Sequence, residues 1–292
     1  MNTTASKKRN NRRKFSKALG DIYAALIYSL FYIPVLVMMI FSFNDADRNF
    51  FWKGFTTRWY GKLFEFSNHD LWESLAYSLI IAILATIISV VVGVLGGIGL
   101  KKFEFRGKKF INTMIYVPII VPEIVLAVAM LIIFMTIGIK LGMGTILIGH
   151  CTFCIPYAVV TIKGRISGDN ETLQEASMDL GANRTQTFWR VTVPSIMPGI
   201  MSSAFLSFTL SFDDVVMSNM LAGASQSTLP VLILSMNRTG VTPDVNAMTT
   251  LIVVFMVTGM LVSNLFSRHR KKKEALLIAE AEKAISAARA KM

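Results

Sequence analysis

Four stretches of the chain run without a single Asp, Glu, Lys or Arg: Ile22–Asn44, Ser74–Leu100, Leu141–Ile162 and Val245–Ser267, of 23, 27, 22 and 23 residues. An α-helix rises about 1.5 Å per residue, so roughly 20 apolar residues cross the ~30 Å hydrocarbon layer of a bilayer. Each stretch is therefore long enough to span a membrane. Two further runs are apolar apart from acids: Phe110–Ile139 holds only Glu123, and Met197–Leu221 holds only the tandem Asp213–Asp214. The pattern predicts an all-α polytopic membrane protein with six transmembrane helices. Within the second run, Gly93 and Gly97 lie four residues apart, a spacing that lets a neighbouring helix approach closely.

Composition agrees with a membrane protein. Of 292 residues 53% are hydrophobic and only 16% charged, yet the net charge is +12. A disordered chain needs low hydrophobicity, and a soluble domain devotes about a quarter of its residues to charge. Basic residues mark the cytoplasmic side of short loops. Residues before Ile22, the 101–109 and 163–190 segments and the stretch after Ser267 carry 24 of the 30 Lys and Arg. The other six are Arg48, Lys53, Arg58, Lys62, Lys140 and Arg238. This assigns both termini to the cytoplasm: 1–21 is a basic tail, 22–267 the six-helix domain and 268–292 a second basic tail. Topology and anionic lipid account for the excess positive charge without nucleic acid. The first run is too long for a cleaved signal peptide and reads as an uncleaved anchor.

Enzyme signatures are missing. Gly61-Lys62 and Gly107-Lys108 lack the frame of a phosphate-binding loop, and no H-E-x-x-H or G-x-S-x-G occurs. Cys151 and Cys154 form a C-x-x-C inside an apolar run with no second pair, which reads as small buried packing residues and not as a zinc site. His150 beside them stands alone. No catalytic residue, metal or cofactor is expected in this chain.

The acids within the apolar runs are the candidates for function. A carboxylate near the centre of a membrane helix costs about 2.5–3.5 kcal/mol on insertion scales, so it faces a protein interior or a water-filled path. Glu123 follows Pro118 and Pro122, which predicts a bend and freed carbonyls beside it. Asp213 and Asp214, as neighbours on one helix, point about 100° apart. One can line a path while the other ties helices together. The bland alternative is that all three only hydrogen-bond neighbouring helices.

The stretch from Asp169 to Pro194 predicts a cytoplasmic α-hairpin. Asp169 or Asn170 caps a first short helix, and Gly181 ends it in the left-handed conformation. A second short helix runs from about Asn183 to Val191 and stops at Pro194. Leu173, Ala176 and Leu180 fall at helical spacing on one side. A helix resting on lipid would show the same pattern.

Within it, Glu175-Ala176-Ser177, three residues, Gly181, nine residues and Val191-x-Val193-Pro194 resemble the E-A-A-x3-G-x9-I-x-L-P signature of ABC importer permeases, with Ser for Ala and Val for Ile and for Leu. The resemblance is closer still to spermidine/putrescine permeases of the PotC type and covers nearly the whole chain after the N-terminal tail. It rests on Gly54-Phe-Thr-Thr-Arg-Trp-Tyr60, Phe105-Arg-Gly-Lys108, Pro122-Glu-Ile-Val125, Ser207-Phe-Thr-Leu-Ser-Phe-Asp-Asp-Val-Val216 and Pro243-Asp-Val-Asn-Ala247. Glu123 stands where such permeases often carry Asp.

This resemblance implies a type I importer permease in a bacterial inner membrane. Glu175, Ala176, Ser177, Gly181, Val191 and Pro194 would form the dock for an ATPase. The implied partners are a PotB-like second permease, two PotA-like ATPases that bind ATP and Mg, and a PotD-like extracytoplasmic binding protein. A polyamine needs spaced acids and apolar or aromatic walls. Glu123, Asp213 and Asp214 would supply the charges, and Tyr116, Phe208 and Phe212 cation–π contacts. Related permeases for other cationic or metal-complex solutes share parts of these motifs. An ion-driven carrier would usually show an internal repeat and would leave the hairpin without a use. A membrane scaffold needs no buried acids.

Overall fold

The structure is a computed structural model that describes residues 3–47, 51–65, 69–166, 168–223, 227–237, 242–259 and 261–262. The described residues form helices and one isolated antiparallel bridge, Asn44 to Phe55. In chain order the helices are α1 Thr3–Phe41, α2 Arg58–Phe64, α3 His69–Lys102, α4 Lys108–Met114, α5 Val117–Ile120, α6 Glu123–Thr136, α7 Met143–Lys163, α8 Gly168–Asp179, α9 Arg184–Thr187, α10 Val193–Phe212, α11 Val216–Leu221, α12 Leu229–Asn237 and α13 Pro243–Gly259. They divide into two compact units, Met1–Ser67 with Gly240–Met292, and Asn68–Thr239.

Four helices among the described residues are long and apolar enough to cross a membrane: Leu19–Phe41, Asp70–Lys102, Met143–Lys163 and Arg184–Phe212. The run expected as one span over Phe110–Ile139 is instead a pair, Lys108–Ile120 and Glu123–Thr136, bent by 105° at the junction. The expected bend thus falls beside Glu123, and its cause is local. A proline disfavours the helical region for the residue before it. Val121 takes φ −68°, ψ 132°, and Pro122 itself is extended at φ −53°, ψ 132°. Pro118 sits in the first turn of α5, where a missing N–H costs nothing. The sixth expected run begins in α13 and continues beyond Val262, outside the described residues, as does the 268–292 tail. Arg48 and Arg238 of the charge pattern also lie outside them.

In the unit Met1–Ser67 with Gly240–Met292, α1 begins at Thr3, so most of the basic segment before Ile22 is helical and continuous with the first span. After α1 the chain is held by Asn44. Its side-chain amide donates to the Phe51 carbonyl and its Oδ1 accepts from the Lys53 amide, at 2.7 and 2.8 Å. Its backbone carbonyl accepts from the Trp59 indole at 2.8 Å. Phe43 stacks on Phe55, and Arg58 pairs with Asp45 and Asp47. The Gly54–Tyr60 motif is thereby one folded element.

In the unit Asn68–Thr239, α3, α7 and α10 pack against one another. The Gly93/Gly97 spacing does what the sequence predicts. A Cβ on Gly93 would lie 2.7 Å from the Ala158 Cβ, and one on Gly97 3.2 Å from Ile162 Cγ2 and 3.3 Å from the Lys163 amide. Cys154 is buried in the same layer, with its Sγ 3.6 Å from the Ser207 carbonyl, while Cys151 is half-buried; both are free thiols.

Gly93→Val is expected to lower the stability of the folded chain by about 1–3 kcal/mol, the usual cost of overpacking. Thermal unfolding in detergent checks this, with Gly99→Val, where a Cβ meets nothing within 4 Å, as the control.

Candidate functional site

A cavity of about 520 Å³ opens between the two helix breaks of the unit Asn68–Thr239. Pro118, Ile119 and Val121 line it from α5 and its end, Glu123 and Leu126 from α6, Phe153 and Tyr157 from α7, Leu210 from α10, and Asp213 through Val216 from the segment joining α10 to α11. All three acids singled out in the sequence reach this one space, although about 90 residues separate Glu123 from the Asp pair. No Lys or Arg is among the described residues that line it.

The two breaks put them there. Glu123 is the first residue of α6, where the unpaired amides and the positive end of the helix dipole favour an acid. Asp213 and Asp214 are not neighbours on one helix, as the sequence suggested. α10 ends at Phe212, Asp213 takes φ −92°, ψ 0°, and α11 starts afresh at Val216. The reason is the Asp214 side chain, which offers backbone amides an alternative to the helical carbonyls. Its Oδ1 accepts from the Met217 amide at 3.3 Å and its Oδ2 from the Ser218 amide at 2.8 Å.

The tandem acids consequently differ. Asp214 is 6% exposed, whereas Asp213 and Glu123 are exposed in the single chain. The Glu123 and Asp214 carboxyls are neighbours in the cavity lining. Two ionised carboxyls so placed repel, and a proton or a cation between them offsets the repulsion.

His150, read in the sequence as standing alone, is fully buried against this cluster. Its Nε2 lies 3.0 Å from Asp214 Oδ2 and 3.1 Å from Ser218 Oγ, and its Nδ1 2.6 Å from Ser211 Oγ. The sequence held a signal for it. His150, Phe153 and Tyr157 recur at i, i+3 and i+7, one face of α7, and Ser203, Ser207 and Ser211 recur every fourth residue on α10, all buried. The aromatic residues nearest the acids in space differ from those nearest in the sequence. Phe153 and Tyr157 line the cavity, while Tyr116, Phe208 and Phe212 are not among its lining residues, and Phe208 and Phe212 stack on each other with centroids 5.6 Å apart.

The hairpin forms with two departures. α8 begins at Gly168, ahead of the Asp169 or Asn170 expected to cap it, whose side chains lie outside the described residues. Gly181 ends it at φ +90° as expected. Asn183 then caps α9 through a reciprocal pair with Gln186, at 2.8 and 3.0 Å. Pro194 does not stop the second helix. A π-helical turn over Phe188–Thr192 widens the backbone just before it, and α10 continues from Val193 with Pro194 in its first turn.

The predicted apolar side of α8 faces outward. Leu173 is 53% exposed and Leu180 89%, and Glu175 and Ala176 are exposed as well. The inward contacts are polar: Gln174, 8% exposed, accepts from Lys102 Nζ at the end of α3 at 2.7 Å, and Ser177 Oγ lies 3.2 Å from Thr187 Oγ1. Val191 is half-buried and Pro194 exposed.

The family of binding-protein-dependent transport system inner membrane components matches residues 89–273. The spermidine/putrescine transport system permease protein PotC of Haemophilus influenzae is 38% identical over 250 residues, 86% of this chain and 96% of the relative. PotC of Escherichia coli K12 is 37% identical over 250 residues, 86% of this chain and 94% of its own. The putrescine transport system permease protein PotI of the same strain is 34% identical over 254 residues, 84% of this chain and 90% of its own. Among solved structures, an inward-facing MetNI methionine ABC transporter superposes with a TM-score of 0.51 at 19% identity over 68% of this chain and 92% of that one. An amino acid ABC transporter crystallised with histidines gives 0.53 at 15% identity, over 71% and 97%. Both share the fold. The chain belongs to the family of binding-protein-dependent transport system inner membrane components: it is a multi-pass membrane protein with the fold of an ABC importer permease, homologous to PotC and PotI.

Asp214→Ala leaves a buried imidazole and two backbone amides without their acceptor, and breaking such a pair is expected to cost about 3–5 kcal/mol. Asp213→Ala, at an exposed position, is expected to stay within about 0.5 kcal/mol of the parent. Unfolding midpoints of the two detergent-solubilised variants check the contrast.

Proposed function

We propose that this chain is the transmembrane permease subunit of an ATP-driven importer for polyamines of the spermidine and putrescine class, forming half of the translocation path. The observation that carries the cargo class is the cavity on which Glu123, Asp213 and Asp214 converge with no Lys or Arg in its lining. A polyamine is a flexible chain of protonated amines separated by methylenes. Acids set among Leu126, Leu210 and Val216, with the rings of Phe153 and Tyr157, match that alternation of charge and hydrocarbon. Relatives bearing spermidine/putrescine and putrescine transport names support the same class.

In this reading the permease breaks no bond. It pairs with a second, PotB-like permease, rests on two PotA-like ATPases that bind ATP and Mg, and receives cargo from a PotD-like extracytoplasmic binding protein. Both of its termini are cytoplasmic in a bacterial inner membrane. The exposed Leu173, Glu175 and Ala176 of α8, with Leu180 and Gly181 at the turn, form the surface that enters the ATPase, and Ser177, Val191 and Pro194 brace it from within the hairpin. Closure of the ATPases displaces the hairpin and alternates the access of the cavity between the two sides.

The assembled complex in liposomes is expected to hydrolyse ATP faster when its binding protein carries spermidine or putrescine, and to accumulate the labelled polyamine. Glu123→Gln and Asp213→Asn are each expected to raise the half-saturating polyamine concentration about three- to ten-fold, the net worth of one ordinary hydrogen bond. A correctly assembled complex with no polyamine-stimulated ATP turnover would overturn the cargo assignment.

A further inference from the structure

His150 joins both sides of the α10–α11 break. From the middle of α7 its ring reaches Ser211, one residue before the end of α10, Asp214 in the break, and Ser218 in α11. A buried imidazole needs partners on both nitrogens. A carboxylate only accepts, so the nitrogen facing Asp214, Nε2, carries the hydrogen. Nδ1 is then the acceptor and the Ser211 hydroxyl donates to it. α7 holds the far end of α11 too, since Thr145 Oγ1 donates to the Leu221 carbonyl at 2.8 Å. Asp214 thus receives Nε2–H and the Met217 and Ser218 amides, while the Asp213 carboxyl meets its own backbone amide and is tied to no other residue's donor among the described residues.

We propose that His150 is a positioning residue for cargo: with Ser211 bracing its other nitrogen, it fixes the Asp214 carboxylate as a stationary charge of the cavity beside Glu123 and leaves Asp213 as the acid free to follow the cargo. This rests on the polyamine reading above. It assigns unequal roles to two adjacent, chemically identical acids, and it places the origin of the difference on a residue outside the cavity lining.

The test uses the complete reconstituted importer and exploits amide geometry. A glutamine amide nitrogen reaches about where Nε2 lies, an asparagine nitrogen only where Nδ1 lies. His150→Asn is expected to raise the half-saturating spermidine concentration for uptake about ten-fold with less than about a two-fold change in maximal rate, whereas His150→Gln stays within about three-fold of the parent. Hydrogen exchange of the Met217 and Ser218 amides, measured without cargo, is expected to quicken about ten-fold in the Asn variant and to stay near the parent in the Gln variant. Ser211→Ala, which keeps the ring but leaves Nδ1 without its partner, is expected to raise half-saturation about three-fold. Asn and Gln variants that behave alike, a loss confined to maximal rate, a shift in one readout without the other, or a Ser211→Ala importer indistinguishable from the parent would each overturn the proposal. If the parent importer takes up no polyamine, the cargo reading fails, and the exchange measurements alone decide whether His150 holds Asp214.

Discussion

A carboxylate at membrane depth has no water to lean on, and the structure of Asn68–Thr239 follows from how Asp214 is supplied with donors. Within an unbroken helix the amides of Met217 and Ser218 would be spent on carbonyls one turn earlier. Because α10 ends at Phe212, those amides are the free first-turn donors of a new helix, and Asp214 caps them. The acid makes the break and the break satisfies the acid. His150 provides the third donor from a different helix, which turns a local cap into a tertiary joint.

The bend before Glu123 is the counterpart of this break, built by a different device. Pro122 forces the turn by sterics, and the helix that restarts there presents its amide end, and with it Glu123, to the same cavity. Two interrupted helices therefore face each other with acids at their interruptions and hydrocarbon elsewhere. A transport path must bind well enough to admit cargo and weakly enough to release it. In the proposed function, exposed Glu123 and Asp213 set against a held Asp214 meet that demand better than a cage of three fixed charges.

Much of this architecture can be read from the residues themselves. Charge-free runs locate the long spans, Gly93 and Gly97 mark the close contact of α3 with α7, and Gly181 marks the hairpin turn, because each expresses a local rule of length, volume or backbone angle. What the sequence conceals depends on contacts between distant segments. Nothing local to Asp213-Asp214 says that the second acid will cap a helix and the first will not. Nearness to the acids along the chain points to Tyr116, Phe208 and Phe212 as aromatic partners, whereas the cavity takes Phe153 and Tyr157 from α7, a helix the acids do not occupy. The apolar side of α8 is legible as a stripe, but its outward direction is set by the Lys102 contact to Gln174.

The π-helical turn ahead of Pro194 has a mechanical meaning. Had the proline ended the second helix of the hairpin, a flexible joint would separate this elbow from the long helix that follows it. Instead, residues from Arg184 to Phe212 form one rod about 40 Å long, whose lower end carries the elbow and whose upper end abuts Asp213. Tilting such a rod by a few degrees at its base shifts its tip by a few ångströms, so a push applied at the hairpin arrives at the acid through a single shaft.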